Sequence, residues 1–180
     1  MAKYHVFHPD HEIIGHVVQD IEAAIGGEYL YPIFAKHGIA NVDPNSWYSM
    51  QDFLNALKEL EERGNAIFDL VSAGMNTVEN LIVPPEFTSL KPLEMLAQSD
   101  ALYHTHSRGT DIGYIAVEKI ADNHAKLLYH TPLPDDYWYG IVYGFCRRFF
   151  PAGTPAKVYY DTLVLRREEG GEDTVIHVTW

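Results

Sequence analysis

The stretch AKLLYHTPLPDDYWYGIVYGFCRRF, residues 125–149, contains the sharpest change of pattern in the sequence. Residues 125–131 are β-like, and Pro132 and Pro134 end that strand because proline cannot donate a ladder hydrogen bond. Asp135 can cap the helix that follows. Its apolar residues recur at helical spacing: Trp138, Ile141, Val142, Phe145 and Phe149. The stretch therefore predicts a strand that is followed directly by an amphipathic helix.

Two hairpins are predicted on either side of this helix. The first pairs residues 112–119 with residues 125–131. The second pairs residues 156–166 with residues 173–180 across the charged, Gly-rich turn REEGGE. Together they predict a four-stranded antiparallel sheet.

The part of the chain before the hairpins has helical patterns. Residues 11–25 predict a first helix, and Ser49 with Asp52 forms the capping pattern of a helix that ends at Gly64. Residues 65–82 predict another helix. After a break at Pro84 and Pro85, residues 87–107 resume as a helix.

This order of elements predicts a single α+β domain over residues 1–180, helical over 1–108 and α+β over 109–180. The N-terminal helices are expected to pack against the four-stranded sheet. An apolar strand runs to Trp180, so we expect the sequence to be cut from a longer protein with an output domain downstream.

Composition argues against several classes of function. The net charge of −12 opposes attraction to the phosphates of nucleic acid or to an anionic membrane. There is one cysteine, Cys146, and no apolar run long enough to span a membrane. No catalytic motif is recognised, so an enzyme is not expected. We expect a soluble, cytoplasmic domain.

Two stretches carry a family resemblance. LEMLAQSDALYHTHSR (93–108) resembles the helix of haem-nitric-oxide-binding (H-NOX) domains that ends in an Asp-x-x-His motif, whose histidine ligates haem iron. Residues 125–149 resemble the family's Tyr-x-Ser-x-Arg strand and its following helix. The chain is thus similar to H-NOX domains and to their relatives, the vinyl-reductase-like hydrocarbon-binding domains and the TRAPP subunits. The resemblance is best from Leu90 to Phe150 and implies the fold described above.

The resemblance also implies candidate ligand-binding residues. With Asp100 aligned to the family's aspartate, Tyr103 occupies the position of the iron ligand, and His104 and His106 lie just beyond it. In the second motif the family's tyrosine, serine and arginine correspond to Tyr129, Thr131 and Leu133. Leu133 is the main departure, because the family's arginine would bind the haem propionates and leucine has no charge with which to do so.

Tyr103 has two main interpretations, besides another arrangement of metal ligands. Leu93, Leu96 and Tyr103 share one face of a helix, which directs Tyr103 inward. A phenolate can ligate haem iron, so haem is one candidate cofactor. In the other interpretation Tyr103 is a core aromatic whose hydroxyl bonds to the backbone, and His104 and His106 lie at the helix C-terminus, where the dipole favours imidazoles.

The resemblance implies a ligand cavity between the N-terminal helices and the sheet. Its polar groups would be Tyr103, Tyr129 and Thr131. The expected lining is Phe34, Phe53, Leu96, Tyr103, Tyr129, Trp138 and Ile141.

The functional hypothesis is a sensor domain in signal transduction. A small apolar or amphipathic ligand, or a non-standard haem or tetrapyrrole, would shift the Tyr103 helix and bias an output domain. The alternative is a ligand-free interaction module, as in TRAPP assembly, in which side chains fill the cavity and the helical face forms a homodimer.

Two smaller features complete the predictions. Among the N-terminal histidines, His8 and His11 are weak metal candidates, but they lack the spacing of a metal site, and none is expected. Gly140 and Gly144 are four residues apart on a bulky helix, which predicts close packing against the sheet or another subunit.

Overall fold

The computed structural model describes residues 3–25, 27–63 and 69–180. It has the predicted α+β architecture, and the helical elements come first. Two short 3-10 turns lie at Pro85–Ser89 and Arg167–Glu169. The N-terminal elements are β1 (Glu12–Ile14), α1 (Gly15–Ile25), α2 (Gly27–Lys36), β2 (Trp47–Ser49), α3 (Met50–Glu62), α4 (Leu70–Asn80), α5 (Pro92–Leu96), α6 (Ser99–His106) and β3 (Ser107–Arg108). The C-terminal elements are β4 (Tyr114–Ala121), β5 (His124–His130), α7 (Asp135–Phe149), β6 (Lys157–Tyr160) and β7 (Thr174–Thr179).

The main sheet is four-stranded and antiparallel, in the order β4-β5-β7-β6. Its first hairpin is the predicted one, with Ile115 opposite Tyr129. Residues alternate between buried and half-buried along β5, so one face of the sheet packs on the helices. This face carries Tyr129 into the core.

The second hairpin is shorter than predicted. Strand β6 ends at Tyr160, and residues 161–166 form a loop instead of continuing the strand. Asp161 explains the turn, because its carboxylate accepts a hydrogen bond from the backbone N–H of Leu163 at 2.7 Å. Leu163 in this loop is 95% exposed.

The N-terminal half also differs in detail. Residues Glu12–Ile14, predicted as helix, form the central strand of a small sheet of order β2-β1-β3. The predicted helix 87–107 is divided into a 3-10 turn, α5 and α6. Ser49 caps α3 as predicted and accepts a bond from Asp52 N–H at 3.2 Å. The predicted helix end at Gly64 lies outside the described residues.

Helix α7 packs closely on α4 through glycines. A Cβ at Gly140 would clash with the carbonyl oxygen of Val71, and one at Gly74 would clash with the carbonyl oxygen of Tyr137. Gly144 lies against Met75. The close packing predicted for Gly140 and Gly144 therefore exists, but the partner is helix α4 and not the sheet.

The start of α7 is held differently from the prediction. Asp135 is the first helical residue and not the cap. Its buried carboxylate accepts hydrogen bonds from the Thr174 hydroxyl at 2.5 Å and from the Glu168 N–H at 3.3 Å. Thus Asp135 ties the helix to the loop before β7.

A buried arginine joins distant parts of the chain. Arg167 donates to the carbonyl oxygens of Thr131 at 2.8 Å and of His5 at 3.1 Å. Its guanidinium also lies over the ring of Phe7. Within the described ranges, no helix is long and apolar enough to cross a membrane.

Candidate functional site

An interior cavity of about 80 Å³ lies between helices α1, α4, α6 and α7 and strand β5. Most of its wall is apolar. The lining residues are Ile13, Val17, Thr77, Val78, Leu81, Ser99, Leu102, Tyr103, His106, Ser107, Tyr129, Leu133, Tyr137, Trp138, Ile141 and Phe145. The structure thus brings six of the sequence-predicted site residues to one cavity: Tyr103, His106, Tyr129, Leu133, Trp138 and Ile141.

Trp138 lies at the centre of this aromatic group. Its ring stacks on Tyr129 with centroids 4.7 Å apart and meets Tyr103 edge to face at 5.7 Å. Its indole N–H donates to the hydroxyl of buried Thr131 at 2.5 Å. Thr131 therefore orients Trp138 and is absent from the cavity wall itself.

Tyr103 is buried, and its hydroxyl is already engaged. It donates to the backbone carbonyl oxygen of Ile112 at 2.5 Å. Burial raises the pKa of the Tyr103 phenol well above its usual range, so the group is neutral. A neutral phenol bonded to the backbone corresponds to the second interpretation of Tyr103.

Tyr129 is 1% exposed, and burial likewise raises its pKa. Burial is the main cause of the rise at Tyr129, whereas the hydroxyl of Tyr103 is engaged by a hydrogen bond to Ile112. Leu133, at the position of the family's arginine, is also buried and contributes only apolar surface. The Tyr129 hydroxyl is therefore the polar group that this part of the wall offers to a ligand.

The two histidines at the end of α6 lie in different places. His104 is exposed, and its Nδ1 lies 2.9 Å from the carbonyl oxygen of Asp100. His106 forms part of the cavity wall and packs edge to face on His16, with ring centroids 5.0 Å apart. Burial, reinforced by His16, lowers the pKa of His106 to about 4, so its imidazole is neutral near pH 7.

These residues do not fit a haem. Pockets for drug-sized ligands have volumes of about 300–1,000 Å³, and a porphyrin is no smaller than such ligands, whereas this cavity has about 80 Å³. The phenol of Tyr103 is neutral and bonded to Ile112. Leu133 provides no charge for a propionate.

Three residues predicted to line the cavity lie elsewhere. Phe34 and Phe53 are fully buried and stack on each other, 5.8 Å apart, between α2 and α3. Leu96 is buried in α5 and does not reach the cavity. The physical reason is that α4 and not α2 or α3 packs on α7, so α4 supplies the wall.

Among the wall residues that sequence reasoning missed, Val17 lies on α1, Thr77 and Val78 lie on α4, and Leu81 directly follows α4. Thr77 is buried, and its hydroxyl lies 3.1 Å from the hydroxyl of Tyr137 on α7. A threonine on the apolar side of a predicted helix was the available signal, since a buried hydroxyl needs a partner.

The weak metal candidates are separated. His8 is solvent-exposed at 2.6 Å from Asp10, whereas His11 is fully buried and neither of its ring nitrogens has a partner in the described ranges. Across those ranges, no group of three or more His, Cys, Asp or Glu side chains is arranged to hold a metal ion.

Comparison with solved structures identifies the fold. The chain is similar to a mutant H-NOX protein from K. algicida, in the unliganded Fe(II) state, with a TM-score of 0.68, 12% identity, and 93% of this chain and 96% of that chain covered. For a mutant H-NOX protein from S. oneidensis in the Fe(II) ligation state, the TM-score is 0.68 and the identity is 12%, with 93% of this chain and 95% of that chain covered. For an oxygen-binding H-NOX domain related to soluble guanylate cyclases, in its oxygen complex, the TM-score is 0.68 and the identity is 12%. The match covers 92% of this chain and 91% of that chain.

The H-NOX-like fold predicted from the sequence is therefore confirmed. No protein-family model matches the sequence. A search of the curated proteins finds no match either.

Proposed function

We propose that this chain is a ligand-sensing domain that uses the H-NOX-like fold without haem and binds a small apolar molecule in the interior cavity. The observation that carries the proposal is the apolar hollow beneath Trp138, at the centre of the fold. Protein interiors are close-packed, and hollows of this kind are few in a domain. Binding of an apolar ligand in an empty apolar cavity is favourable, because the wall atoms gain dispersion contacts that they otherwise lack.

Cavity size limits the ligand. An apolar cavity of about 150 Å³ can accommodate benzene or xenon. The present volume of about 80 Å³ suits a gas atom or a short alkyl group. The H-NOX-like structures named above support a small ligand, since one of them is an oxygen complex.

Helix α6 is the element that could transmit the binding of a ligand in the cavity to the rest of the domain. It contributes Ser99, Leu102, Tyr103 and His106 to the cavity wall. It is also tied to β4 itself, because the Asp100 carboxylate accepts a hydrogen bond from the Ile115 N–H at 2.8 Å. A ligand that fits better when α6 is displaced would therefore move β4 and bias an attached output domain.

Xenon binding tests the proposal. We expect amide signals around the cavity to shift in ¹⁵N–¹H NMR spectra under xenon pressure. Ile141→Trp should abolish those shifts by filling the cavity, and Ile120→Trp is the matched control, since Ile120 is exposed on β4. Absence of shifts in the wild type would contradict ligand binding.

Haem supplementation tests separately the statement that the domain functions without haem. We expect no Soret band after gel filtration of the protein mixed with haemin. A band that changes in Tyr103→Phe would overturn the haem-free proposal and favour tyrosine ligation.

A second candidate function is a homodimeric interaction module, as in TRAPP assembly. It is favoured by the exposed loop 161–166, where Leu163 and Leu165 are 95% and 57% exposed. Sedimentation of the wild type and of a Leu163→Ser, Leu165→Ser double variant distinguishes the two candidates. A dimer that the double variant dissociates supports the module, and a wild-type monomer contradicts it.

A further inference from the structure

A second hollow adjoins the interior cavity. It is a surface cleft of about 480 Å³, lined in part by His16, Asp20, Asn45, Asn80 and Thr105. The cleft and the cavity share four wall residues: Val17, Thr77, Leu81 and His106. These shared side chains place the two hollows next to each other, with His106 at the boundary, and we call the cavity and the adjoining cleft together the path.

Polarity changes along this path. The interior end is surrounded by aromatic and aliphatic side chains such as Trp138 and Ile141. At the outer end, the Asn80 amide donates to the Asp20 carboxylate at 3.0 Å, and the His16 ring packs on His106. The path therefore matches a molecule with an apolar tail and a polar head.

We propose that the ligand is an uncharged amphipathic molecule, with a short alkyl tail in the cavity and a hydroxyl group at the His106 boundary of the cleft. This inference rests on the proposed function and names its ligand class. One ring nitrogen of His106 hydrogen-bonds to the Leu102 backbone, and the other nitrogen of the neutral imidazole can accept a bond from a ligand hydroxyl.

Charge selects against the two ionic alternatives. An anionic head would lie near Asp20, on a protein whose net charge is −12. A cationic head would lose its hydration against the apolar wall, and the one carboxylate that lines the cleft, that of Asp20, already accepts a bond from Asn80. A hydroxyl group avoids both costs.

The test compares three probes of equal chain length, 1-butanol, butanoate and butylammonium, by NMR titration of the wild-type protein. We expect 1-butanol to bind at least about ten-fold more tightly than either ion. The reason is that placing a charged head group at this boundary should cost the free energy that corresponds to at least about a factor of ten in the dissociation constant. Equal affinities for the three probes would overturn the proposal.

Variants test the position of the head group. His106→Phe keeps a ring but removes both nitrogens, and should weaken 1-butanol binding roughly five-fold through one lost hydrogen bond. His104→Phe is the matched control, because His104 is exposed and lines neither hollow. Unchanged 1-butanol affinity in His106→Phe would also overturn the proposal.

Xenon separates this inference from the proposed function. If xenon shifts the cavity signals but 1-butanol does not, the domain binds apolar ligands and the amphipathic inference is wrong. If neither probe binds, the proposed function itself is wrong.

Discussion

The Tyr103 hydroxyl donates a hydrogen bond to the Ile112 carbonyl oxygen, and this bond joins the last N-terminal helix to the segment that leads into the sheet. A neighbouring hydrogen bond, from the Ile115 N–H to the Asp100 carboxylate, joins the same two parts of the chain. The residue at the position of the family's iron ligand is thus a structural link between the two halves of the domain.

We expect Tyr103→Phe to lower the free energy of unfolding by about 1 kcal/mol, the usual contribution of one neutral hydrogen bond. Tyr129→Phe is the control, because it also removes a buried phenol hydroxyl but leaves the bond to Ile112 intact, and it should change stability less. Urea denaturation measures both. Equal losses in the two variants would contradict a specific role for the bond to Ile112.

His11 should make stability depend on pH. Burial lowers its pKa from the ordinary 6.5 to about 4. Between these values the unfolded chain binds a proton that the native chain does not, so stability falls as the pH is lowered through this window. The loss is about 3 kcal/mol when it is complete, at about 1.4 kcal/mol per pKa unit.

We therefore expect His11→Leu to reduce the slope of stability against pH between 4 and 6.5 and to raise stability by removing two unpaired buried nitrogens. His106, whose pKa is also about 4, retains part of the slope. Denaturant titrations at several pH values measure the effect, with exposed His104→Leu as control. An unchanged slope in His11→Leu would refute this assignment.

Arg167 is expected to contribute strongly to stability. Replacement by Met leaves the carbonyl oxygens of Thr131 and His5 without their donor, which should cost about 2–4 kcal/mol. Arg166→Met is the matched neighbour, because Arg166 forms a surface ion pair with Glu169 at 2.7 Å, and such pairs contribute little. Thermal unfolding of the two variants should differ clearly, and similar midpoints would be the contrary result.

The contact between α4 and α7 predicts an order for two alanine substitutions. Gly140→Ala forces a methyl group against the Val71 carbonyl oxygen, whereas in Gly144→Ala the nearest atom is the Met75 Cα at 3.1 Å. The clash at Gly140 should cost about 1–3 kcal/mol despite alanine's better helix propensity. Gly144→Ala should cost less, and the reverse order in urea denaturation would contradict the packing.

Local patterns were sufficient for much of the fold. The alternation in β5 and the turn before it are visible within a few residues, as is the cap formed by Ser49 with Asp52. The segment 161–166 misled because its β-branched and leucine residues resemble a strand. Its course depends on one side-chain bond, from the Leu163 N–H to Asp161, which composition does not reveal.

The cavity was harder to predict because its wall depends on which helices meet. Phe34 and Phe53 have the composition expected of a ligand pocket, yet they pack on each other. Thr77 and Leu81 reach the cavity only because glycines bring α4 close to α7. Trp138 and Tyr129 could be placed in advance because both lie in the stretch that carries the family resemblance.

The bond from Arg167 to His5 joins residues 162 positions apart. Long-range contacts of this kind slow folding, because a large loop must close before the contact contributes. During synthesis the N-terminal segment has to wait for the ribosome to release Arg167 before it can assume its final position. Native packing of the N-terminal segment should therefore follow the synthesis of Arg167, and the helical part of the domain cannot complete it alone.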